Sequence, residues 1–395
     1  MSKVLSGLDN FKTQTDLHQN LKGNIGYLCH SASVDKNLQH GILSMLRIFG
    51  TRLTKLFSPQ HGLVSDVQDN MVETDHSIHP YFKLPVYSLY SDTRKPTPEM
   101  LQDLDHVIID LQDVGTRIYT YIYTATLMME ACAEAGVQVV VLDRANPIGG
   151  LTIEGNMLDP NFSSFVGRHP LPVRHGLTIG EIAVMAKKYW DVDCDLQVVP
   201  MIGWERWMSY EDTELPWVLP SPNLPTIEAA YTFVGTVLFE GTNISEGRGT
   251  TRSLEIIGHP NIEPYKLLER LQPVLDKSGL EGFVLRPVNF LPTFQKHKGI
   301  PCGGYQIHVT DRRKFKPWTL CQMLCKVFYH HLGDKFAWKQ PPYEYEYEKM
   351  PVDLINGTDL LRQWVERNGS FAELLTLEQA GKEEFMTQRE GVLLY

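Results

Sequence analysis

Several common signatures are missing from this 395-residue chain. Its N-terminus, MSKVLSGLDNFKTQTD, contains neither the apolar core nor the cleavage site of a signal peptide. No run of roughly 18 apolar residues occurs that could cross a membrane. The net charge of −10 disfavours a nucleic acid as the main partner. These absences predict a soluble, cytoplasmic protein without a membrane or nucleic-acid partner, and they leave its oligomeric state open.

Metal and nucleotide signatures are missing as well. The six cysteines include no CxxC pair and no zinc-ligand spacing, and the 14 histidines are scattered. Cys321 and Cys325 lie four residues apart in an apolar helical stretch, so we expect them to be reduced core residues. The turn after the first predicted strand reads HSASVDKN rather than GxGxxG, and there is no P-loop. The sequence therefore predicts no metal site and no cofactor.

Four short apolar runs, each bounded by polar or turn residues, predict buried parallel strands in the first 150 residues. They are Asn24–His30, Leu53–Phe57, His106–Leu111 and Gln138–Leu142. Helical patterns at Asn37–Phe49 and Thr124–Ala135 alternate with them. The predicted fold is therefore α/β, with a Rossmann-like, doubly wound parallel sheet. Val64–Met100 is expected to be an extended loop with short elements.

The pattern changes in the second half of the chain. Thr178 followed by Glu181 predicts a capping box at the start of a helix, and four prolines make Pro216–Pro225 a stiff connector. The remaining predicted elements are strands at Leu196–Pro200, Phe283–Phe290 and Tyr305–Thr310 and helices at Tyr265–Leu271, Thr319–His331, Thr358–Gln363 and Phe371–Leu377. They predict a smaller α+β C-terminal domain. We place the domains at 1–250 and 251–395, with a cleft between them and a boundary within Glu240–His259.

Polar and ionisable side chains follow each of the four N-terminal strands. They are His30, Ser31 and Ser33; then Ser58, Gln60 and His61; then Asp110, Gln112, Asp113, Arg117 and Tyr119; and then Asp143, Arg144 and Asn146. Open α/β sheets bind ligands beyond the carboxyl ends of their strands. Any one of these residues is as often a turn or cap residue. Together they predict one cleft, which Gln60, His61, Asp113, Arg144 and Asn146 should line.

Two further segments carry groups that suit a ligand. Glu240–Arg252 is rich in glycine, and its Asn243, Glu246 and Arg248 would suit a sugar or a carboxylate; the alternative is a solvated surface loop. If this segment belongs to the site, Glu246 should lie within reach of Arg144 or the Asp113 loop. Arg174 and His175 precede the capped helix and suit an anion contact, with a local capping role as the alternative.

The sequence resembles the bacterial exo-β-N-acetylmuramidase family from about Gly23 to Tyr395. The motifs that carry the resemblance are FSPQHG (Phe57–Gly62), LPVYSLY (Leu84–Tyr90), TRKPTPEML (Thr93–Leu101), IDLQDVGTRIYTYIYT (Ile109–Thr124), VLDRANPIGG (Val141–Gly150), EGNMLDP (Glu154–Pro160), SFVGRHPLPVRHGLTIGE (Ser164–Glu181), PWVLPSPNLPT (Pro216–Thr226), FEGTNISEGRGTTR (Phe239–Arg252) and CGGYQIHVTD (Cys302–Asp311). Members remove terminal N-acetylmuramic acid from peptidoglycan fragments, in a cleft between a Rossmann-like domain and a smaller C-terminal one. The resemblance implies a glycosidase with an amino-sugar substrate and a role in cell-wall recycling.

This chain departs from the family pattern at one decisive position. The family reads PEHG where Gln60 replaces the glutamate, and its GxRG motif is altered to Gly62-Leu63-Val64-Ser65. An amide cannot transfer the proton that glycoside hydrolysis needs. One alternative is therefore a non-hydrolytic protein that binds muropeptide-derived amino sugars. Another is a hydrolase that acts on a different amino-sugar glycoside.

Other carboxylates are candidates for the missing acid. We favour Asp113 and Glu246, with Asp69 and Glu73 as replacements from a shifted position; each is as often a structural ion-pair partner. The predicted catalytic set is Gln60, His61, Asp113 and Glu246. The predicted substrate-binding set is Arg117, Tyr121, Arg144, Asn146, Arg174, His175, Asn243 and Arg248. Among these, the arginines suit the lactyl carboxylate. Tyr121, like Tyr119, suits stacking on a sugar ring, with core packing as the alternative.

Overall fold

Three sheets organise the chain in the computed structural model, which describes residues 3–68 and 71–395. Their strands are β1 (Ile25–Cys29), β2 (Leu53–Ser58), β3 (Ser77–Ile78), β4 (Pro85–Ser88), β5 (His106–Asp110), β6 (Gln138–Leu142), β7 (Glu154–Met157), β8 (Pro172–Arg174), β9 (Leu196–Val199), β10 (Ile256–His259), β11 (Phe283–Phe290) and β12 (Cys302–Val309). The first sheet has the order β3-β4-β2-β1-β5-β6-β9, and β7 and β8 form a small hairpin. The four predicted N-terminal strands are confirmed to within two residues at each end.

The large sheet is doubly wound. All of its strand pairs are parallel except β3–β4 at one edge. Numbered along the chain, its parallel strands lie in the order 3-2-1-4-5-6, which is the Rossmann order. The order reverses between β1 and β5, so the turns that follow these two strands flank a crevice. The predicted Rossmann-like sheet is confirmed.

The strands read as continuous apolar runs because helices cover both faces of the sheet. All five residues of β1 are buried. The helices are α1 (Gly7–Phe11), α2 (Thr15–Asn20), α3 (Gly41–Phe49), α4 (Pro98–Leu101), α5 (Tyr121–Ala135), α6 (Ile179–Tyr189), α7 (Ile227–Thr236), α8 (Pro264–Ser278), α9 (Pro317–Leu332), α10 (Pro351–Asn356), α11 (Leu360–Glu366), α12 (Phe371–Gln379) and α13 (Lys382–Glu390). The capping box of α6 is confirmed, since the Glu181 amide donates to Thr178 Oγ1 and the Thr178 amide donates to Glu181 Oε2.

A smaller region follows, built on the antiparallel sheet β10-β12-β11 and the helices that pack on it. It confirms the expected α+β C-terminal part. A single apolar cluster runs from Leu28 on β1 to Leu374 on α12, so this region shares a core with the large sheet. The boundary at residue 250 stays a prediction. All six cysteines are free and buried, as expected for Cys321 and Cys325.

Two strands of the large sheet, β3 and β4, were not predicted. Val64–Met100 was expected to be a loop with short elements, and it does contain α4, but β4 also adds to the sheet parallel to β2. Four residues, half of them only partly buried, give too weak a pattern to identify. Within the described residues, no helix combines the length and the apolar character needed to span a bilayer.

Candidate active site

A polar cavity lies where the turns after β2 and β5 meet the chain around residue 344. Its volume is about 50 Å³, which is room for a few water molecules only. Its polar lining is Gln60, His61, Tyr119, Thr120, Tyr121, Ser221, Asn223, Glu240, Arg248, Tyr343 and Glu344. Five segments that carry the family resemblance converge here: 57–62, 109–124, 164–181, 216–226 and 239–252. Segments far apart in sequence thus supply one set of hydrogen-bonding groups.

Gln60 stands at the centre of this lining, just after β2, and is 7% exposed. The Thr120 hydroxyl donates to Gln60 Oε1 at 2.8 Å. The Gln60 Nε2 in turn faces Glu344 Oε1 at 3.4 Å. The two contacts fix which way the amide points, with its oxygen toward α5 and its nitrogen toward Glu344.

Glu344 is a buried carboxyl that the sequence reasoning missed. The Tyr90 hydroxyl donates to its Oε2 at 2.8 Å. Burial raises the pKa of Glu344 to about 7, aided by the negative charge of Glu240, while the hydrogen bonds from Tyr90 and Gln60 oppose the rise. Near neutral pH this carboxyl is therefore divided between its acid and its ionised form.

The backbone presents Glu344 in an unusual way. Its φ of 45° lies in the left-handed region, which a residue with a side chain seldom adopts. The preceding Tyr343 is buried and donates its hydroxyl to Glu240 Oε2 at 2.8 Å. The following Tyr345 stacks on the Arg94 guanidinium at 3.6 Å from its ring centre. Contacts on both sides therefore hold the turn that carries Glu344 into the cavity.

A second carboxylate in the cavity, Glu240, is ion-paired. Arg248 contacts Glu240 Oε1 through Nη2 and Glu246 Oε1 through Nε, the latter at 3.1 Å. Lys296 binds the other oxygen of Glu246 at 2.7 Å. Burial favours a raised pKa for Glu246, but Lys296 and Arg248 outweigh it and the pKa is lowered. Glu246 is thus held ionised, which suits it to anchor Arg248 rather than to donate a proton.

His61 supplies a neutral imidazole to the cavity. Burial lowers its pKa to about 4, so the ring is uncharged at neutral pH. Its Nδ1 lies 2.8 Å from the Val67 carbonyl, which requires the proton to be on Nδ1. Nε2 is then a hydrogen-bond acceptor. The φ of 71° at His61, followed by Gly62 at 77°, makes the tight turn that presents both Gln60 and His61.

Tyr121 lines the cavity, but its contacts mainly hold the cavity wall together. It is 1% exposed, donates its hydroxyl to the Pro220 carbonyl at 2.8 Å and packs edge-on against His30. It therefore ties the proline-rich connector to the start of α5, which corresponds to the core-packing alternative.

Three predicted residues form a cluster beside this cavity. Asp113 Oδ2 accepts from the Gly115 amide at 2.7 Å and lies 3.5 Å from His175 Nε2. Asn146, which donates to the Leu177 carbonyl, packs against the same glycine turn. Asp113 and Asn146 therefore share one edge of the sheet, as predicted. None of the three lines the cavity, however, which corrects the expectation of a single cleft.

The predicted arginines are divided among different surroundings. Arg117 is fully buried and donates to four backbone carbonyls, those of Asn156, Leu171, Ile355 and Asn356. Arg144 pairs with Asp110 at 2.5 Å and lines a separate small cavity. Arg174 lines a third cavity. Of the four arginines proposed for a substrate carboxylate, the structure brings only Arg248 to Gln60.

A larger cavity of about 450 Å³ adjoins the first and shares Glu240 with it. Asn243, Lys296 and Trp338 are among its lining residues, and Asn243 Nδ2 donates to the Lys335 carbonyl. Glu246 lines this second cavity. The glycine-rich segment thus lies at both cavities rather than in a solvated surface loop.

The remaining acid candidates lie elsewhere. Glu73 accepts from the Tyr345 hydroxyl at 2.7 Å, and 47% of its side chain is exposed. Asp69 lies outside the described residues. Within residues 3–68 and 71–395, no cluster of three or more histidine, cysteine, aspartate or glutamate side chains is placed to hold a metal ion.

Comparison with known proteins accounts for the whole chain. The model of the N-terminal part of the exo-β-N-acetylmuramidase NamZ matches residues 25–228, and the model of its C-terminal part matches residues 231–395. The chain is 40% identical over 394 residues to the peptidoglycan β-N-acetylmuramidase NamZ of Bacillus subtilis, covering 100% of this chain and 92% of that protein. Two crystal structures of DUF1343 family proteins from Bacteroides fragilis are similar. One has a TM-score of 0.87 at 29% identity and covers 100% of both chains. The other has a TM-score of 0.75 at 28% identity and covers 99% of both.

Proposed function

Because the chain belongs to the exo-β-N-acetylmuramidase family, we propose that it is a glycoside hydrolase of peptidoglycan fragments. It releases terminal N-acetylmuramic acid, with Glu344 as the proton donor. The observation that carries the assignment of Glu344 is the position of its buried carboxyl in the polar cavity, 3.4 Å from the amide of Gln60, and burial raises its pKa to about 7. A glycosidase site usually contains two carboxyl groups, and Glu240 is the second one in this cavity.

The proton belongs on Oε1 of Glu344. Oε2 accepts the hydroxyl of Tyr90 at 2.8 Å, whereas the contact of Oε1 with Gln60 is long, at 3.4 Å. A proton on Oε1 can pass to the glycosidic oxygen as the bond from that oxygen to C1 breaks, so that the aglycone leaves as an alcohol. The electron pair needed at C1 comes from the sugar's own 2-acetamido oxygen or from a carboxylate such as Glu240. Water then attacks C1, displaces this oxygen from C1, and returns a proton to Glu344.

The substrate needs more room than the 50 Å³ of the polar cavity. The adjoining cavity of about 450 Å³ shares Glu240 and offers Trp338 as an apolar face and Asn243 as a polar partner. A saccharide that occupies this cavity and displaces the turn around Glu344 would bring its glycosidic bond to the acid. Loop displacement of this kind is common in enzymes that exclude water from the reacting bond.

The test is turnover of the disaccharide of N-acetylmuramic acid and N-acetylglucosamine. We expect the wild type to release both sugars, detected by mass spectrometry. Glu344→Gln should release them at least about 100 times more slowly, because a general acid contributes on the order of 100- to 10,000-fold. Glu348→Gln is the matched control, since Glu348 is an exposed glutamate of the same segment. Binding of the disaccharide without turnover by the wild type would instead favour the binding protein.

A cytoplasmic location and a role in cell-wall recycling complete the proposal. Six free, buried cysteines support a reducing compartment, because thiols stay reduced there. Fractionation of cells that express the protein checks the location. Recovery of the protein among exported proteins would contradict it.

A further inference from the structure

A second, separate cavity of about 1000 Å³ shares no lining residue with the polar cavity around Gln60. Its walls come from the turn after β6 (148–152), the end of β8, residues 206–212 and the chain after β12 (309–313). Both the Rossmann-like sheet and the C-terminal sheet therefore contribute to it. Its size falls in the range of small-molecule sites.

Arg174 gives this cavity an unsatisfied positive charge. The residue is 2% exposed, and its Nη2 donates to the Ile148 carbonyl. In the described part of the chain, Nε and Nη1 have no hydrogen-bond partner. Buried arginine nitrogens without partners are costly, because each has given up water without a replacement. Two donors of one buried guanidinium thus lack a partner at the wall of this cavity.

The neighbouring carboxyl of Glu154 does not satisfy this charge. Glu154 lies opposite Arg174 in the β7–β8 hairpin. Its Oε1 accepts from the amide and the hydroxyl of Thr319, at 3.1 and 3.3 Å. Burial raises its pKa to about 7 despite the guanidinium nearby. Oε1 of Glu154 is therefore directed to helix α9, Oε2 has no hydrogen-bond partner in the described part of the chain, and the negative charge is only partly present at neutral pH.

Of the three other arginines of the cavity, Arg313 is exposed and two are already paired with carboxylates. Arg206 contacts both oxygens of Glu181, at 2.7 and 2.8 Å. Arg312 contacts Glu211 at 2.5 Å and Glu228 at 3.2 Å. An added anion would have to compete for these two, whereas Arg174 has only Glu154 beside it, whose pKa of about 7 leaves its charge partly present at neutral pH.

Aromatic side chains frame the same space. The ring of Tyr231 lies between two guanidinium groups, 5.9 Å from that of Arg174 and 5.5 Å from that of Arg312. Trp207 also lines the cavity and is 42% exposed. A flat, exposed indole is a suitable surface for the apolar face of a sugar ring.

We propose that this cavity is a second ligand site, which binds a carboxylated sugar through Arg174 and Trp207. The carboxylate accepts from the two free guanidinium nitrogens, and the ring packs against the indole. The choice of N-acetylmuramic acid as the specific sugar rests on the proposed function, because that is the carboxylated sugar which the reaction releases. The need for a carboxylate rests on Arg174 alone.

Isothermal titration calorimetry tests the site with two probes, N-acetylmuramic acid and the uncharged N-acetylglucosamine. We expect a binding event that requires the carboxylate and that weakens at least about tenfold in Arg174→Gln, because charge-assisted hydrogen bonds are lost. Trp207→Ala, at an exposed position, should also weaken this event and should leave disaccharide turnover unchanged. It keeps the test valid if Arg174→Gln fails to fold. Arg270→Gln, on α8 outside this cavity, is the control.

The outcomes separate this site from the catalytic one. If the chain is inactive on the disaccharide, binding that depends on Arg174 and Trp207 still supports the second site. Binding that both variants leave unchanged would place the sugar elsewhere and overturn the inference. Equal binding of the two probes would overturn it as well, because the carboxylate would then have no role.

Discussion

Replacing Glu344 by glutamine tests the proposed chemistry most directly. The amide has nearly the same shape as the acid, so the contacts from Tyr90 and Gln60 keep their positions. What the variant loses is a proton that can be given away near neutral pH. The melting temperature should therefore stay within a few degrees of the wild type, while hydrolysis falls.

The raised pKa makes the proton of Glu344 available near neutral pH. A carboxyl with a pKa of about 7 is half protonated at pH 7, whereas one at the usual value of 4.5 would be roughly 0.3% protonated. Burial thus increases the acid form of Glu344 roughly 150-fold. Loss of general acid catalysis should lower turnover on the order of 100- to 10,000-fold, a barrier increase of about 2.7 to 5.4 kcal/mol.

Two substrates with different leaving groups make the assay specific. The disaccharide has a sugar alcohol as its leaving group, which needs a proton, whereas a 4-nitrophenyl glycoside of N-acetylmuramic acid has a leaving group that departs without much help. Glu344→Gln should lose at least about 100-fold on the disaccharide and about tenfold or less on the nitrophenyl glycoside. Equal losses on both, with folding intact by circular dichroism, would show that Glu344 does not act as the acid.

Three further predictions follow from the same contacts. Turnover of the disaccharide should fall as the pH rises through about 7, because Glu344 loses its proton there; a pH profile that stays flat to pH 9 would contradict this. Gln60→Glu should leave turnover at pH 7 flat or lower it, because a second carboxylate 3.4 Å from Glu344 competes for the proton; a tenfold gain in the same assay would contradict the assignment. Arg117→Met should lower the free energy of unfolding by about 3 to 5 kcal/mol in urea titrations, because it leaves four buried carbonyls without a donor; a change below about 1 kcal/mol would show that water replaces the guanidinium.

Most of the fold could be predicted because its signals are local. The apolar run at Gln138–Leu142 ends at the polar Asp143 and is a buried strand with the predicted bounds. The capping box at Thr178 and Glu181 needs only two residues three positions apart. The alternation of predicted strands and helices indicated the doubly wound sheet. The strand β4 escaped prediction because four residues, only two of them buried, are too few to give a clear pattern.

The site was predictable in part, for the same reason. Gln60 and His61 follow a strand, so topology alone places them at the carboxyl edge of the sheet. Arg248 was identified from its glycine-rich surroundings. Glu344 gave no such signal, since it lies in the run YEYEYEKM, whose alternating glutamates are typical of a solvated surface. Only the packing of the C-terminal region against the sheet shows that Glu344 is buried whereas Glu348 is exposed.

The contacts of Asp113 and Arg117 in the structure explain why their sequence positions resembled those of functional residues. Charged groups after a strand are as often used to tie loops together as to bind a ligand. Asp113 holds the Gly115 amide and contacts His175, and Arg117 joins backbone carbonyls of both halves of the chain. Nothing in their sequence neighbourhood separates these roles from catalysis, because the deciding partners lie up to 239 residues away.

The amide at position 60 need not mean a lost catalyst. With a carboxyl at this position, two acids would lie about 3.4 Å apart, and their protons would titrate as a coupled pair. With the amide, Glu344 is the titrating partner of the two, and Gln60 is left to orient it through one weak hydrogen bond while Thr120 holds the other end of the amide. The argument for a binding protein depends on the loss of one carboxylate. The structure places another at hydrogen-bonding distance from the residue that replaced it, so proton donation and Gln60 are chemically compatible in the same site.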